Sequence, residues 1–119
     1  MRIQKKAATS SVEGSARLLK AMADPVRLRL LNLLAGHEVC VCHLHDALNL
    51  PQPTVSRHLA YLRKTGLVVG RKDGLWVHYR MAEPLTDLHR TLVDAVVPCL
   101  ADLASLKADR ERLAGLSCC

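Results

Sequence analysis

The residues best able to do chemistry in this 119-residue chain are its five cysteines and the histidines that follow two of them. Cys40 and Cys42 are separated by Val41 and followed by His43 and His45, Cys99 stands alone, and Cys118 and Cys119 are adjacent. Thiolates are soft ligands, and a set that mixes sulfur with imidazole nitrogen suits borderline divalent ions such as zinc, cadmium and lead. The same thiols could instead cycle between dithiol and disulfide as a redox sensor. An enzyme is disfavoured, because no Cys-x-x-Cys motif and no βαβ pattern accompanies them. Spacing adds a constraint: residues i and i+2 lie about 200° apart on a helix but project to one side of an extended strand. Joint ligation by Cys40 and Cys42 is therefore expected to unwind the start of the helix that carries them.

What the thiols can do depends on where the chain works. Seventeen Lys and Arg against eleven Asp and Glu leave a formal charge of +6 and a pI of about 9.4, which predicts attraction to polyanions. Nucleic acid is the first partner to consider and an anionic membrane surface the second. No run of about eighteen apolar residues exists, and Met1 to Ser11 is too polar for a signal-peptide core, so membrane association is disfavoured and the chain is expected to be cytoplasmic. A reducing compartment leaves cysteines free for metal or redox chemistry. Half of the chain is apolar, enough for one core, and with no Phe, one Trp and two Tyr that core must be aliphatic, which suits packed helices.

Residues 1–11 lack periodicity and are expected to form an N-terminal arm. A first helix carries Leu18, Leu19 and Met22. Asp24-Pro25 supplies an N-cap and a proline at the first helical position, and Val26, Leu30, Leu31 and Leu34 extend the apolar face until Gly36. A short helix over about Val41–Leu48 ends in a turn at Asn49–Pro51. The next begins near Gln52, with Val55, Leu59 and Leu62 inward and Gln52, Ser56, Arg57 and Lys64 outward. From Leu67 to Met81 the period changes to two, with Asp73-Gly74 as a two-residue turn. Leu85, Leu88, Leu92, Val96, Leu100, Leu103 and Leu106 then form one long stripe from Pro84 past Pro98, more than a monomer core needs, which predicts dimerisation through this last helix. The expected domain spans 12–108, followed by a tail over 109–119 with the cysteine pair.

Helices followed by a hairpin in this order predict a mainly α fold with a β-hairpin: a helix-turn-helix with a β-wing. The second helix of such a motif enters the major groove, where Gln52, Thr54, Ser56 and Arg57 would reach the DNA. Gln suits adenine and Arg suits guanine by bidentate hydrogen bonding, whereas Ser and Thr more often hold phosphate. The plain alternative is a solvated helix face. Arg71 and Lys72 beside the hairpin tip would meet phosphates or the minor groove, or else only guard an edge strand against aggregation. His58 is read as a boundary residue beside Leu62. Two symmetry-related recognition helices would require an inverted repeat with half-sites roughly 34 Å apart.

From about Ala16 to Leu106 the chain resembles the ArsR/SmtB family of metal-responsive repressors. The resemblance rests on Ala23-Asp24-Pro25-Val26-Arg27-Leu28, on Glu38-Val39-Cys40-Val41-Cys42-His43-Leu44, on Gln52-Pro53-Thr54-Val55-Ser56-Arg57-His58-Leu59 and on the Asp73-Gly74 wing. It implies a homodimer joined through its first and last helices, bound to operator DNA and released by an inducing ion. It also implies that Cys40 and Cys42 are the thiolate site of the family's arsenical and cadmium/lead sensors. His43 and His45 stand where the family's box has Asp and, in arsenical sensors, often a third Cys. Arsenite and antimonite, As(III) and Sb(III), prefer three thiolates, and Cys118 or Cys119 folding back would supply the third. Cys99, near the dimer stripe, is read as a buried small hydrophobe. A histidine as third ligand would shift the site towards zinc, cadmium or lead. Asp87 and His89 match half of the family's zinc site, but Leu100 and Leu103 occupy the partner positions, so that site is read as lost and both residues as exposed helix surface.

Overall fold

The computed structural model describes residues 11–116; the expected arm, apart from Ser11, and the Cys118–Cys119 pair lie outside the described residues. The first helix, α1 (Val12–Met22), starts at Ser11, whose Oγ accepts a hydrogen bond from the Gly14 amide at 2.9 Å. In α2 (Pro25–Leu34), Asp24 Oδ1 accepts from the amides of Val26 and Arg27 at 2.8 and 3.1 Å, while Pro25 occupies a position whose amide would have had no helical partner. A two-residue strand, β1 (Val39–Cys40), runs directly into α3 (Val41–Leu48). That helix stops because Asn49 takes the left-handed conformation, φ 55°, which Asn tolerates better than most residues. After Leu50 and Pro51 comes α4 (Gln52–Lys64).

Strands β2 (Val68–Asp73) and β3 (Trp76–Met81) form the hairpin, and β1 adds to its other side, giving an antiparallel sheet in the order β1-β3-β2. The core is aliphatic as expected: Leu30, Leu31, Leu33 and Leu34 of α2, Leu44 of α3 and Val55, Leu59 and Leu62 of α4 are fully buried. At roughly 1.5–3 kcal/mol for each such side chain, this cluster outweighs any one polar contact.

In the order and bounds of its elements, the structure corrects the sequence reading at the hairpin turn and at the last helix. Asp73 pairs with Trp76, so the two-residue loop is Gly74–Leu75, not Asp73–Gly74. Gly74 alone in that loop has a positive φ, 63°, the pattern of a II′ turn, whose twist matches the flanking strands. The long last helix is in fact two. Thr86 caps α5 (Asp87–Leu100), a turn follows at 101–103, and α6 (Ala104–Ala114) folds back against α2 and α3. The boundary expected at 108 falls inside α6, and the segment read as a tail from 109 is helical to Ala114. The leucine spacing continues across the break, but packing of α6 on α2 and α3 decides the path.

Candidate nucleic-acid interface and thiol site

Cys40 is the last residue of β1 and the N-cap of α3, with extended backbone, φ −71° and ψ 144°. Cys42 lies in the first turn of α3, and the two sulfurs are 3.1 Å apart. The helix starts after Cys40, which is why the two sulfurs can approach one another beside a regular α3. Two sulfurs on one tetrahedral zinc, each at about 2.3 Å, would be roughly 3.8 Å apart, so a small opening of the pair admits an ion. Among the described residues no three His, Cys, Asp or Glu side chains converge as a metal site.

The other candidates fall elsewhere. Cys99 is exposed on the single chain, not buried, because it lies on a solvent-facing position of α5. His45 Nδ1 is 3.5 Å from Asp46 Oδ1. His89 is 4% exposed, contrary to the surface position expected for it, whereas Asp87 is exposed. The His89 amide donates to Thr86 Oγ1 and its Nδ1 accepts from the Leu85 amide at 3.3 Å. Burial, with Arg90 nearby, lowers the imidazole's pKa.

The sheet register adds a residue that sequence reasoning missed. Cys40 is paired with His78 of β3, and side chains directly opposite in a ladder project to the same face. Trp76, two residues earlier on β3, shares that face. Cys40, His43, Trp76 and His78 line one cavity of about 800 Å³, together with Val97 and Pro98 of α5. No local signal in the sequence pairs residue 40 with residue 78.

On the DNA-facing side, α3 and α4 form the helix-turn-helix. Gln52 and Arg57 are exposed at the first turns of α4, Thr54 and Ser56 are half-buried beside them, and Val55 and Leu59 anchor the opposite face. The wing is less free than its sequence suggests. Arg71 donates to both carboxylate oxygens of Glu38, at 2.7 and 3.1 Å, so the pair is held charged: the hydrogen bond lowers the Glu38 pKa and raises that of Arg71. Lys72, on the other face, and Arg80 are exposed.

Two arginine clusters fix these elements. Arg27 donates to the carbonyls of Lys20 and Ala21, stacks 4.2 Å from the Tyr61 ring centroid and reaches His58 Nδ1 at 3.3 Å, tying α1, α2 and α4 together. His58 is thus a boundary residue bonded to Arg27. At the opposite end, the buried carboxylate of Asp109 in α6 accepts from Arg29 Nε at 2.8 Å and from Arg112. Arg29 also donates to Leu48 O at 3.0 Å and Arg112 to Ala47 O at 2.6 Å, so both cap the last carbonyls of α3.

A helix-turn-helix with a polar-faced second helix and a twisted hairpin beside it is a winged helix-turn-helix, a DNA-binding fold. Residues 24–69 match the family described as bacterial regulatory protein, arsR family. The arsenical resistance operon repressor of Escherichia coli (strain K12) is 43% identical over 84 residues, 70% of this chain and 72% of that one. Reduced HlyU from Vibrio cholerae N16961 superposes with a TM-score of 0.65 at 34% identity, covering 83% of this chain and 97% of that one. A homodimeric winged helix-turn-helix DNA-binding domain from Mycobacterium bovis gives a TM-score of 0.64 at 36% identity, covering 82% and 85%. The chain belongs to the arsR family: it is a transcriptional repressor of the ArsR/SmtB type and not an enzyme. Among the described residues no helix is long and apolar enough to cross a membrane.

Proposed function

We propose that this repressor works in the cytoplasm as a homodimer on an inverted-repeat operator and is released when As(III) or Sb(III) binds Cys40 and Cys42. The single observation behind this reading is the 3.1 Å approach of the two sulfurs at the junction between β1 and the first helix of the DNA-binding motif. A ligand there acts on the sheet and the motif together. The E. coli relative's name, an arsenical resistance operon repressor, supports the choice of ion. In this reading Gln52 and Arg57 read bases, Thr54 and Ser56 hold phosphates, Lys72 meets backbone phosphate, and Arg71 does so only when Glu38 releases it. Cys118 or Cys119 supplies the third sulfur that a trivalent ion with three exchangeable positions requires.

Zinc, cadmium or lead is the second reading, favoured by His43 and His78 on the same cavity as Cys40, since mixed sulfur and nitrogen donors suit borderline ions. The experiment is a titration of reduced protein with arsenite, antimonite, cadmium and zinc while following release from its own promoter. A chain ending at Leu116 should lose arsenite response and keep any cadmium response.

A further inference from the structure

We infer that the cavity of about 800 Å³ lined by the sheet, α5 and α6 binds a small organic monocarboxylate, with its carboxylate on Arg110 and its ring or hydrocarbon body on Trp76. Nothing in this site depends on the thiols or on an ion bound to them. The arginines that tie the helices and the wing together are each matched with a carboxylate: Arg27 with Asp24, Arg29 and Arg112 with Asp109, Arg71 with Glu38. Arg110 differs. Its Nη1 donates at 2.7 Å to Oδ1 of Asn32, a neutral group, and among the described residues no carboxylate pairs with it and no acceptor meets its Nε or Nη2. Asn32 is 4% exposed and its Nδ2 donates to Leu106 O at 3.1 Å, so this amide fixes the guanidinium without neutralising it.

The free edge of Arg110, Nε with Nη2, is the edge by which Arg29 grips Asp109 and Arg71 grips Glu38. That edge is a fork that receives one carboxylate through two charge-assisted hydrogen bonds. Arg110 is half-buried, and a charge drawn partly out of water is costly until it is paired, which favours an incoming anion. The rest of the cavity suits an apolar body: its size is that of sites that bury small organic molecules, and its exposed lining is mainly apolar. Leu113, one turn beyond Arg110, continues the same face of α6, and Val97 adds a wall from α5. Trp76, 46% exposed on β3, offers a ring on which an aromatic ligand can stack. Glu38 and Asp73 also line the cavity, but on the sheet side, 2.7 and 4.0 Å from the Arg71 guanidinium. They repel an anion from the sheet and so turn the carboxylate towards α6.

The test titrates reduced, full-length protein with para-tert-butylbenzoate, the matching benzamide and the matching benzylammonium, by calorimetry and by the emission of Trp76, the single tryptophan of the chain. The carboxylate should bind at least about tenfold more tightly than the amide, the difference expected of charge-assisted hydrogen bonds, and should shift the Trp76 emission. The ammonium should not bind. Arg110→Gln keeps a donor for Asn32 and should erase the preference for the carboxylate, whereas Arg110→Lys keeps the charge and should retain it. Trp76→Ala should weaken carboxylate and amide alike. Cys40→Ser/Cys42→Ser should bind the carboxylate as the wild type does, and loss of binding in that protein overturns the inference. Equal affinity of carboxylate and amide for the wild type, or an unchanged preference in Arg110→Gln, overturns it as well. So does the absence of carboxylate binding to the wild type, which would leave the space to a second copy of the chain or to residues 117–119.

Discussion

Cys40 and His78 occupy opposed positions on β1 and β3, so Cys40 and the wing belong to one hydrogen-bonded sheet. Glu38 reinforces the link, because it precedes β1 and holds Arg71 of β2 in a bidentate pair. A displacement at Cys40 is therefore passed directly to the element that flanks the recognition helix.

Cys40→Ser/Cys42→Ser should leave operator affinity near wild type, since neither side chain lies on the outer face of α4. Coupling between an effector and a DNA site is typically about 1–3 kcal/mol, so the wild type should lose at least about tenfold in affinity on adding inducer and the variant should lose none. Fluorescence anisotropy of labelled operator with and without arsenite measures both. A variant unable to bind DNA at all would make the cysteines structural.

Lys72→Ala should reduce the slope of log K against log salt by about 0.9, the contribution of one phosphate contact. Arg71→Ala should change it less, because its guanidinium is already paired with Glu38. Glu38→Gln should do the reverse, freeing Arg71 and both tightening binding and steepening the slope. A flatter slope in Glu38→Gln would show that Arg71 makes its DNA contact while paired.

Asp109→Asn should destabilise the fold by about 2 kcal/mol, below the usual cost of breaking a buried ion pair because Arg29 and Arg112 keep some water. The urea midpoint should fall at an unchanged slope. Loss concentrated in a separate early transition would mean that α6 unfolds independently.

His89 makes stability depend on pH. Its folded pKa lies below the ordinary 6.5, so the unfolded chain binds the proton more readily. The stabilisation is fully present above about pH 6.5 and is lost as pH falls through the lowered folded value. His89→Gln retains an acceptor for the Leu85 amide and should flatten the stability profile below about pH 6.5. An unchanged profile would assign the acid sensitivity to other groups.

The motif itself was legible because its signals are local. The extent of α3 and the start of α4 follow from apolar spacing and the Asn49–Pro51 turn, and Val55, Leu59 and Leu62 face the core as their period requires. The misreadings arise where distant packing decides. Leu85 to Leu106 keep one stripe although the helix ends at Leu100, because the break is set by packing of α6 on α2 and α3, where Asp109 docks on Arg29. His89 reads as surface from its neighbours, yet the Pro84–Thr86 entry covers it. The approach of Cys40 to Cys42 depends on a strand of two residues, too short to show a period, whose pairing with β3 is set by the tertiary fold.

Mechanically, α3 is a lever about 12 Å long, loaded at one end and pinned at the other. Cys40 caps its start and Cys42 lies in its first turn, while Arg29 and Arg112 bolt its last carbonyls to Asp109. The pin lies next to the turn leading into α4, so a pull at Cys40 and Cys42 sweeps the free end and the sheet through the larger arc and moves the recognition helix through the smaller. Induction in this protein should thus lift the wing from the DNA before the helix leaves its groove.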